Sequence, residues 1–259
     1  MVTHIATCGD SFGVGTGLPQ DRCFEDSFGG IIASHFNLPQ KVYARAGCCN
    51  FVIYLQIKKI IEQIEKDETY KPFVLVTTTY HERLIFPLDN GTIYKNPNLS
   101  DVEYKSYNPY HDTTHAKGRE LAFESKKNTR LVAETISNIK HFQDGKADGI
   151  ARLFAKVDKS KLEAIKSYYT DIFDTGIKSE YDQALIITMS FLLKKFNIPH
   201  VIMGYPSLEL TYLENFMPND WGYYTRLYPD TMGSSHCNEE GNRLVGENVI
   251  NFIKEHHLI

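Results

Sequence analysis

Two short segments, at opposite ends of the chain, carry the side chains that could perform acyl chemistry together. The first is Gly9-Asp10-Ser11, which follows the apolar run Ile5-Ala6-Thr7-Cys8 and precedes Gly13, Gly15 and Gly17. The second is Ser234-Ser235-His236-Cys237-Asn238-Glu239-Glu240-Gly241. A serine hydroxyl is a weak nucleophile until an adjacent base takes its proton. Histidine is the side chain that titrates nearest neutral pH and so suits that task. Taken singly, a Gly-Asp-Ser is a common turn and a histidine is most often a surface loop residue. The pair acquires meaning only if the fold brings both segments to one edge.

The surrounding pattern describes such a fold. The run before Gly9 reads as a first strand, and Gly9 permits a sharp turn at its end. Glu25-Asp26-Ser27 starts a helix through Phe28–Phe36, which Asn37-Leu38-Pro39 stops. Lys41–Ala44 reads as a second strand, and Arg45-Ala46-Gly47-Cys48-Cys49-Asn50 as a small-residue turn in which Asn50 is the expected N-cap. Val52, Ile53, Leu55, Ile57, Ile60, Ile61 and Ile64 then form one apolar helical face. Pro72–Thr79 is an unbroken apolar and β-branched run, which suits a buried parallel strand. Strand, helix, strand, helix, strand predicts a parallel sheet with helices on both faces, whose carboxyl edge gathers the loops that bind ligands.

The pattern dissolves after Tyr80. Residues 80–124 are rich in Tyr, Asn, Pro, Asp and His, and a structureless loop of that length marks an insertion beside a site. Helices are expected over 126–142, 150–157 and 161–173, and a buried helix over 182–196. His200–Tyr205 reads as a fourth strand, residues 207–228 as irregular, and a terminal helix starts near Asn238 and runs to about His256. The expectation is a single domain over 1–259, with a largely helical insertion at about 80–180.

Composition excludes several classes. With 28 basic and 32 acidic residues the formal charge is −4, so no nucleic-acid footprint is indicated. No apolar run reaches membrane-spanning length. The N-terminus does not pair a basic region with an apolar helix, so a cytoplasmic setting is expected, with the five cysteines as reduced thiols. Gly13-x-Gly15-x-Gly17 is a poor dinucleotide loop, because Leu18 stands where a third glycine belongs and Pro19 follows. His111 and His115 are spaced for a metal on a helix, but they lie in a loop-like stretch without a glutamate between them, and residues 144–149 lack the carboxylates of a calcium loop. Neither a metal nor a cofactor is expected. The loop tyrosines and Trp221 could stack on sugars or pack the insertion onto the sheet.

In combination the motifs resemble the SGNH hydrolases, also called GDSL-type esterases. The matching segments are Gly9-Asp10-Ser11 after the first strand, Gly47-Cys48-Cys49-Asn50 after the second, and His236-Cys237-Asn238-Glu239-Glu240-Gly241 before the last helix. The resemblance implies a three-layer α/β/α, flavodoxin-like fold and hydrolysis of a small acyl ester. It implies Ser11 as nucleophile, His236 as base, the amides of Ser11 and Gly47 as oxyanion donors, and Asp10 and Asn50 beside the substrate. The chain departs from the family in two places. After the third strand it has Thr79-Tyr80-His81-Glu82-Arg83 in place of the family's Gly-x-Asn-Asp, so Thr79, Tyr80, His81 and Arg83 are the candidates for a third donor. The usual acid three residues before the histidine is Gly233 here, and Asp230 lies six residues before it. The chemistry is therefore either a Ser11–His236 dyad or a triad completed by Asp230. The loop aromatics suggest a carbohydrate O-acetyl ester as substrate. A non-catalytic glycan-binding or structural protein, or an acyltransferase using the same serine, are the competing functions.

Overall fold

The computed structural model describes residues 1–19, 21–44, 49–79, 84–87, 102–104, 123–125, 131–134, 171–172, 174–204, 210–231 and 236–259. Its centre is a five-stranded parallel sheet. Strands β1 (His4–Cys8), β2 (Gln40–Val42) and β3 (Pro72–Thr77) come first in the chain. Strands β8 (His200–Gly204) and β9 (Phe216–Pro218) complete the sheet in the order β2-β1-β3-β8-β9. Counting only these five, the order is 2-1-3-4-5, that of flavodoxin-like folds, whose ligand crevice opens beyond the carboxyl ends of the first and third strands.

Alternation along the strands builds the three layers, because successive side chains leave opposite faces of a sheet. Ala6, Cys8, Val74, Val76 and Ile202 point to one face, where helices α3 (Asn50–Lys66) and α4 (Thr175–Lys195) cover them. Ile5, Phe73, Leu75, Val201 and Met203 point to the other, beneath α2 (Phe28–His35) and α6 (Glu239–Glu255). Helices α2 and α6 pack together, as do α3 and α4. Each fully buried aliphatic side chain contributes about 1.5–3 kcal/mol relative to exposure. Both layers are therefore strongly held, and the loops on the carboxyl edge inherit a rigid base. Two short helices complete the described helices, α1 (Ser11–Val14) and α5 (Trp221–Leu227).

Several sequence expectations change. Asn50 is not the N-cap of α3. Cys49 occupies that position without a side-chain cap bond, and Asn50 is the first helical residue. The helix expected over 126–142 gives way at Leu131–Glu134 to a strand, β7, paired antiparallel with β4 (Leu84–Pro87). Short apolar runs are ambiguous between helix and strand, and here non-local pairing decides. A second antiparallel pair joins β5 (Val102–Tyr104) to β6 (Phe123–Ser125). The insertion thus contains strands that its sequence pattern does not announce. The 207–228 stretch holds β9 and α5, and is more regular than expected. The expected buried helix over 182–196 begins earlier, and it exposes Ile187 and Phe191 on one side. The expected helix at 150–157, the turn at 144–149, most of 161–173 and the pair His111 and His115 lie outside the described residues. Among the described residues no helix is long and apolar enough to cross a membrane.

Candidate active site

The Gly-Asp-Ser segment forms a sharp elbow at the carboxyl end of β1. Gly9 has φ 151°, and a Cβ placed there would lie 1.8 Å from Thr77 Oγ1, so the elbow touches β3 where only glycine fits. Gln56, buried on α3, grips the same residue twice. The Gly9 amide donates to Gln56 Oε1 at 2.7 Å, and Gln56 Nε2 donates to the Gly9 carbonyl at 3.1 Å. Asp10 then caps the single turn of α1, with Oδ1 accepting from the Phe12 amide at 3.1 Å. Ser11 is the first residue of that turn and is 5% exposed.

The end of β3 is tied to this elbow. Thr79 Oγ1 donates to Asp10 Oδ2 at 2.7 Å. Asn50 holds the Thr79 backbone on both sides: its Oδ1 accepts from the Thr79 amide at 2.9 Å, and its Nδ2 donates to the Thr79 carbonyl at 3.0 Å. The same Nδ2 donates to Asp182 Oδ2 at 3.0 Å, and Asp182 Oδ1 accepts from Lys178 Nζ. Asp10, Asn50, Thr79 and Asp182 are all buried. Buried polar groups are tolerable because their hydrogen-bonding capacity is met internally. Thr79 has one hydroxyl proton, and in this arrangement it is engaged by Asp10.

The histidine approaches from the other side of the crevice. A short antiparallel bridge pairs Pro229 with Cys237, and the Asn238 amide donates to the Tyr228 carbonyl at 2.8 Å. Asp230 and His236 therefore face each other although six residues separate them. The Asp230 amide donates to the His236 carbonyl at 3.0 Å, and Asp230 Oδ2 accepts from the His236 amide at 3.1 Å. The His236 ring lies 4.9 Å from the Phe12 ring, whose backbone neighbour is Ser11. Phe12 stacks in turn on the buried Trp221 at 4.4 Å. Gly17, at φ 96°, makes the close approach possible. A Cβ there would lie 2.9 Å from Asp230 Oδ2 and 3.0 Å from His236 Cβ. Asn242 anchors the loop to the N-terminal half, with Nδ2 donating to the Cys237 and Asn238 carbonyls and Oδ1 accepting from the Phe28 amide.

The fold thus gathers Asp10, Ser11, Asn50 and Thr79 on one wall, with Asp230 and His236 against Phe12 and Gly17. Gly47, Tyr80, His81 and Arg83 lie outside the described residues. The nearby thiols are poor competitors for the nucleophile's role. Burial pushes the Cys8 and Cys49 thiols up, and burial followed by the Asp230 charge pushes Cys237 up to about 12. All three are protonated near neutrality, and a thiol reacts as its thiolate.

Gln56, Asp182 and Lys178 escaped the sequence reading, although a signal exists for two of them. Gln56 interrupts the stripe of Val52, Ile53, Ile57 and Ile60, and Asp182 heads the stripe of Ile186, Met189 and Leu193. A polar residue on a buried stripe must have a partner, which makes it a structural clue. Scanned against protein-family models the chain finds no match, and no curated protein matches it.

Proposed function

We propose that this protein is a serine esterase of the SGNH type acting on a small acyl ester, with Ser11 as nucleophile, His236 as general base and Asp230 as the acid of the histidine loop. The observation that supports this most directly is the reciprocal pairing of Asp230 with His236 across the Pro229–Cys237 bridge, set against Phe12 beside Ser11. The Asp230 carboxylate meets the His236 backbone amide there, which supports assigning the acid to Asp230 although Gly233 stands at the family's usual acid position.

In the proposed reaction the Ser11 hydroxyl oxygen attacks the ester carbonyl carbon while His236 takes its proton. The carbonyl oxygen becomes an oxyanion, met by the Ser11 and Gly47 amides that the resemblance implies. The intermediate collapses, the C–O bond to the alcohol breaks, and the imidazolium returns the proton to the leaving alkoxide. Water, deprotonated by His236, then cleaves the acyl-serine and restores both side chains. A carbohydrate O-acetyl ester is the substrate class to assay first, since the Tyr212 and Tyr223 rings are exposed on the segments after β8 and β9.

The test compares wild type with Ser11→Ala on a short p-nitrophenyl ester and a fluorophosphonate probe. The expected result is loss of labelling and a fall of at least about a thousandfold in kcat/KM. Equal hydrolysis by both proteins removes Ser11 from the role. A wild type that neither hydrolyses nor labels, yet retains sugars, replaces the enzyme with a glycan-binding protein on the same fold. Asp230→Asn should approach the defect of His236→Ala; a mild loss would reduce the machinery to a Ser–His dyad.

A further inference from the structure

The Ser11 elbow is connected to α4 by an unbroken line of hydrogen bonds, buried from Asp182 inward and part-buried at Lys178. From Lys178 the line runs to Asp182 Oδ1, from Asp182 Oδ2 to Asn50 Nδ2, and from both ends of the Asn50 amide to the Thr79 backbone. Thr79 Oγ1 continues it to Asp10 Oδ2, and Asp10 Oδ1 ends it on the Phe12 amide, one residue past Ser11. We infer that Asp182, with Lys178 as its charge partner, is a positioning residue for Ser11, acting through Asn50 and Thr79. This inference rests on the esterase reading above.

The Asn50 amide is the junction of this line. Asn50 Nδ2 faces two acceptors, the Thr79 carbonyl and Asp182 Oδ2, while Oδ1 faces one donor, the Thr79 amide. Rotating the amide by half a turn would set Oδ1 against two acceptor oxygens and Nδ2 against an N–H. The Thr79 backbone selects the observed orientation, and Asp182 reinforces it with a second, charged acceptor that only this orientation satisfies. A carboxylate at this buried position needs a counter-charge, and Lys178, one helical turn earlier, supplies it. An apolar pair would pack α4 against α3 at no cost to stability, so packing alone does not account for buried charges here. A single satisfied arrangement does. It fixes the end of β3 at the point where this chain has neither the glycine nor the asparagine of the family's third motif. Freeing Asn50 would loosen Thr79, then Asp10, then the turn that presents Ser11. Displacements near 1 Å at a reacting group cost up to about a hundredfold in rate.

The experiment measures the second-order rate of Ser11 labelling by a fluorophosphonate, and kcat and KM on a p-nitrophenyl ester. The comparison is between Asp182→Ala and Met189→Ala, a core substitution on the same helix that lies outside the line, at temperatures set to equal fractions of each Tm. The expected result is a labelling rate and kcat about 10- to 100-fold lower in Asp182→Ala with KM nearly unchanged, and little change in Met189→Ala. The double variant Lys178→Met with Asp182→Asn keeps an acceptor oxygen for Asn50 without either charge, and should recover to within about threefold of wild type. Equal rates in Asp182→Ala and Met189→Ala, or no recovery in the double variant, would overturn the inference. If wild type neither labels nor hydrolyses, the esterase reading fails by itself. The positioning line is then judged by NMR amide exchange at Thr79: faster exchange in Asp182→Ala than in Met189→Ala sustains it, and equal exchange overturns it.

Discussion

The two walls of the crevice are held by different means. The serine wall is fixed from beneath, by side chains rooted in the sheet and in α3 and α4: Gln56 on Gly9, Asn50 on Thr79, Thr79 on Asp10. Every one of these groups is buried. The histidine wall lies between α5 and α6, and its described residues are tied by the Pro229–Cys237 bridge, by the Asp230 carboxylate on a backbone amide, and by the Asn242 amide. His236 itself is half-buried. Local opening needs little energy where backbone bonds are exposed, and approaches global unfolding where polar groups are locked in a core. The position of Ser11 is thus a property of the fold, whereas that of His236 is a property of one loop.

Substitutions on the two walls should therefore separate stability from activity. Asn50→Ala has the largest expected effect on stability. It leaves the Thr79 amide and carbonyl without their side-chain partner and takes one donor from the Asp182 carboxylate, at a cost of about 3–5 kcal/mol. Urea unfolding would read this as a large fall in midpoint. Gly17→Ala comes next. It places a Cβ at φ 96° and 2.9 Å from Asp230 Oδ2, which costs about 1–2 kcal/mol in strain. Its ester hydrolysis should nevertheless fall by about tenfold or more, because the side chains displaced are those of Asp230 and His236. If Gly17→Ala proved the more destabilising of the two, or left hydrolysis intact, the contrast between the walls would not stand.

The sequence exposed the frame and the ends of the site better than its interior. The strands β1, β3 and β8 were legible because a buried parallel strand is an unbroken apolar run bounded by turn residues. Ser11 and His236 stand out in the sequence because they lie in motifs of the kind that carry chemistry, and the fold brings both segments to the carboxyl edge of the sheet. Asn50 was noticed for the wrong reason. At a turn before a helix it looks like a cap, and only tertiary contact shows its amide turned onto Thr79. Asp230 stood at an irregular spacing, and the bridge between Pro229 and Cys237 is what brings it opposite His236. The stretch at 131–134 has helical periodicity yet forms a strand, because its partner at 84–87 is distant in the chain and local periodicity carries no record of such a partner.

A titration sharpens the same contrast from the opposite edge of the sheet. His200 opens β8, far from the carboxyl-edge loops, and is buried. Its Nδ1 lies 2.8 Å from the Ile198 carbonyl, and Nε2 has no partner among the described residues. Burial, reinforced by the Lys194 charge, holds its pKa below the usual histidine value, against smaller opposing effects from Ile198 and Glu214. The folded state therefore keeps this ring neutral at pH values where the unfolded chain, with a pKa near ~6.5, binds a proton. Its contribution to stability is fully present above ~6.5 and declines as pH falls toward the lowered folded value, by up to about 1.4 kcal/mol per pH unit. Unfolding midpoints measured from pH 7.5 down to about pH 5.5 should fall, and His200→Gln should flatten that fall. Under the proposed mechanism, the pH dependence of ester hydrolysis should be the same in either protein, because His200 and His236 sit on opposite edges of the sheet. A His200→Gln variant that also lost the pH dependence of hydrolysis would show that the sheet's amino edge and the histidine loop are coupled, contrary to the independence argued for that loop.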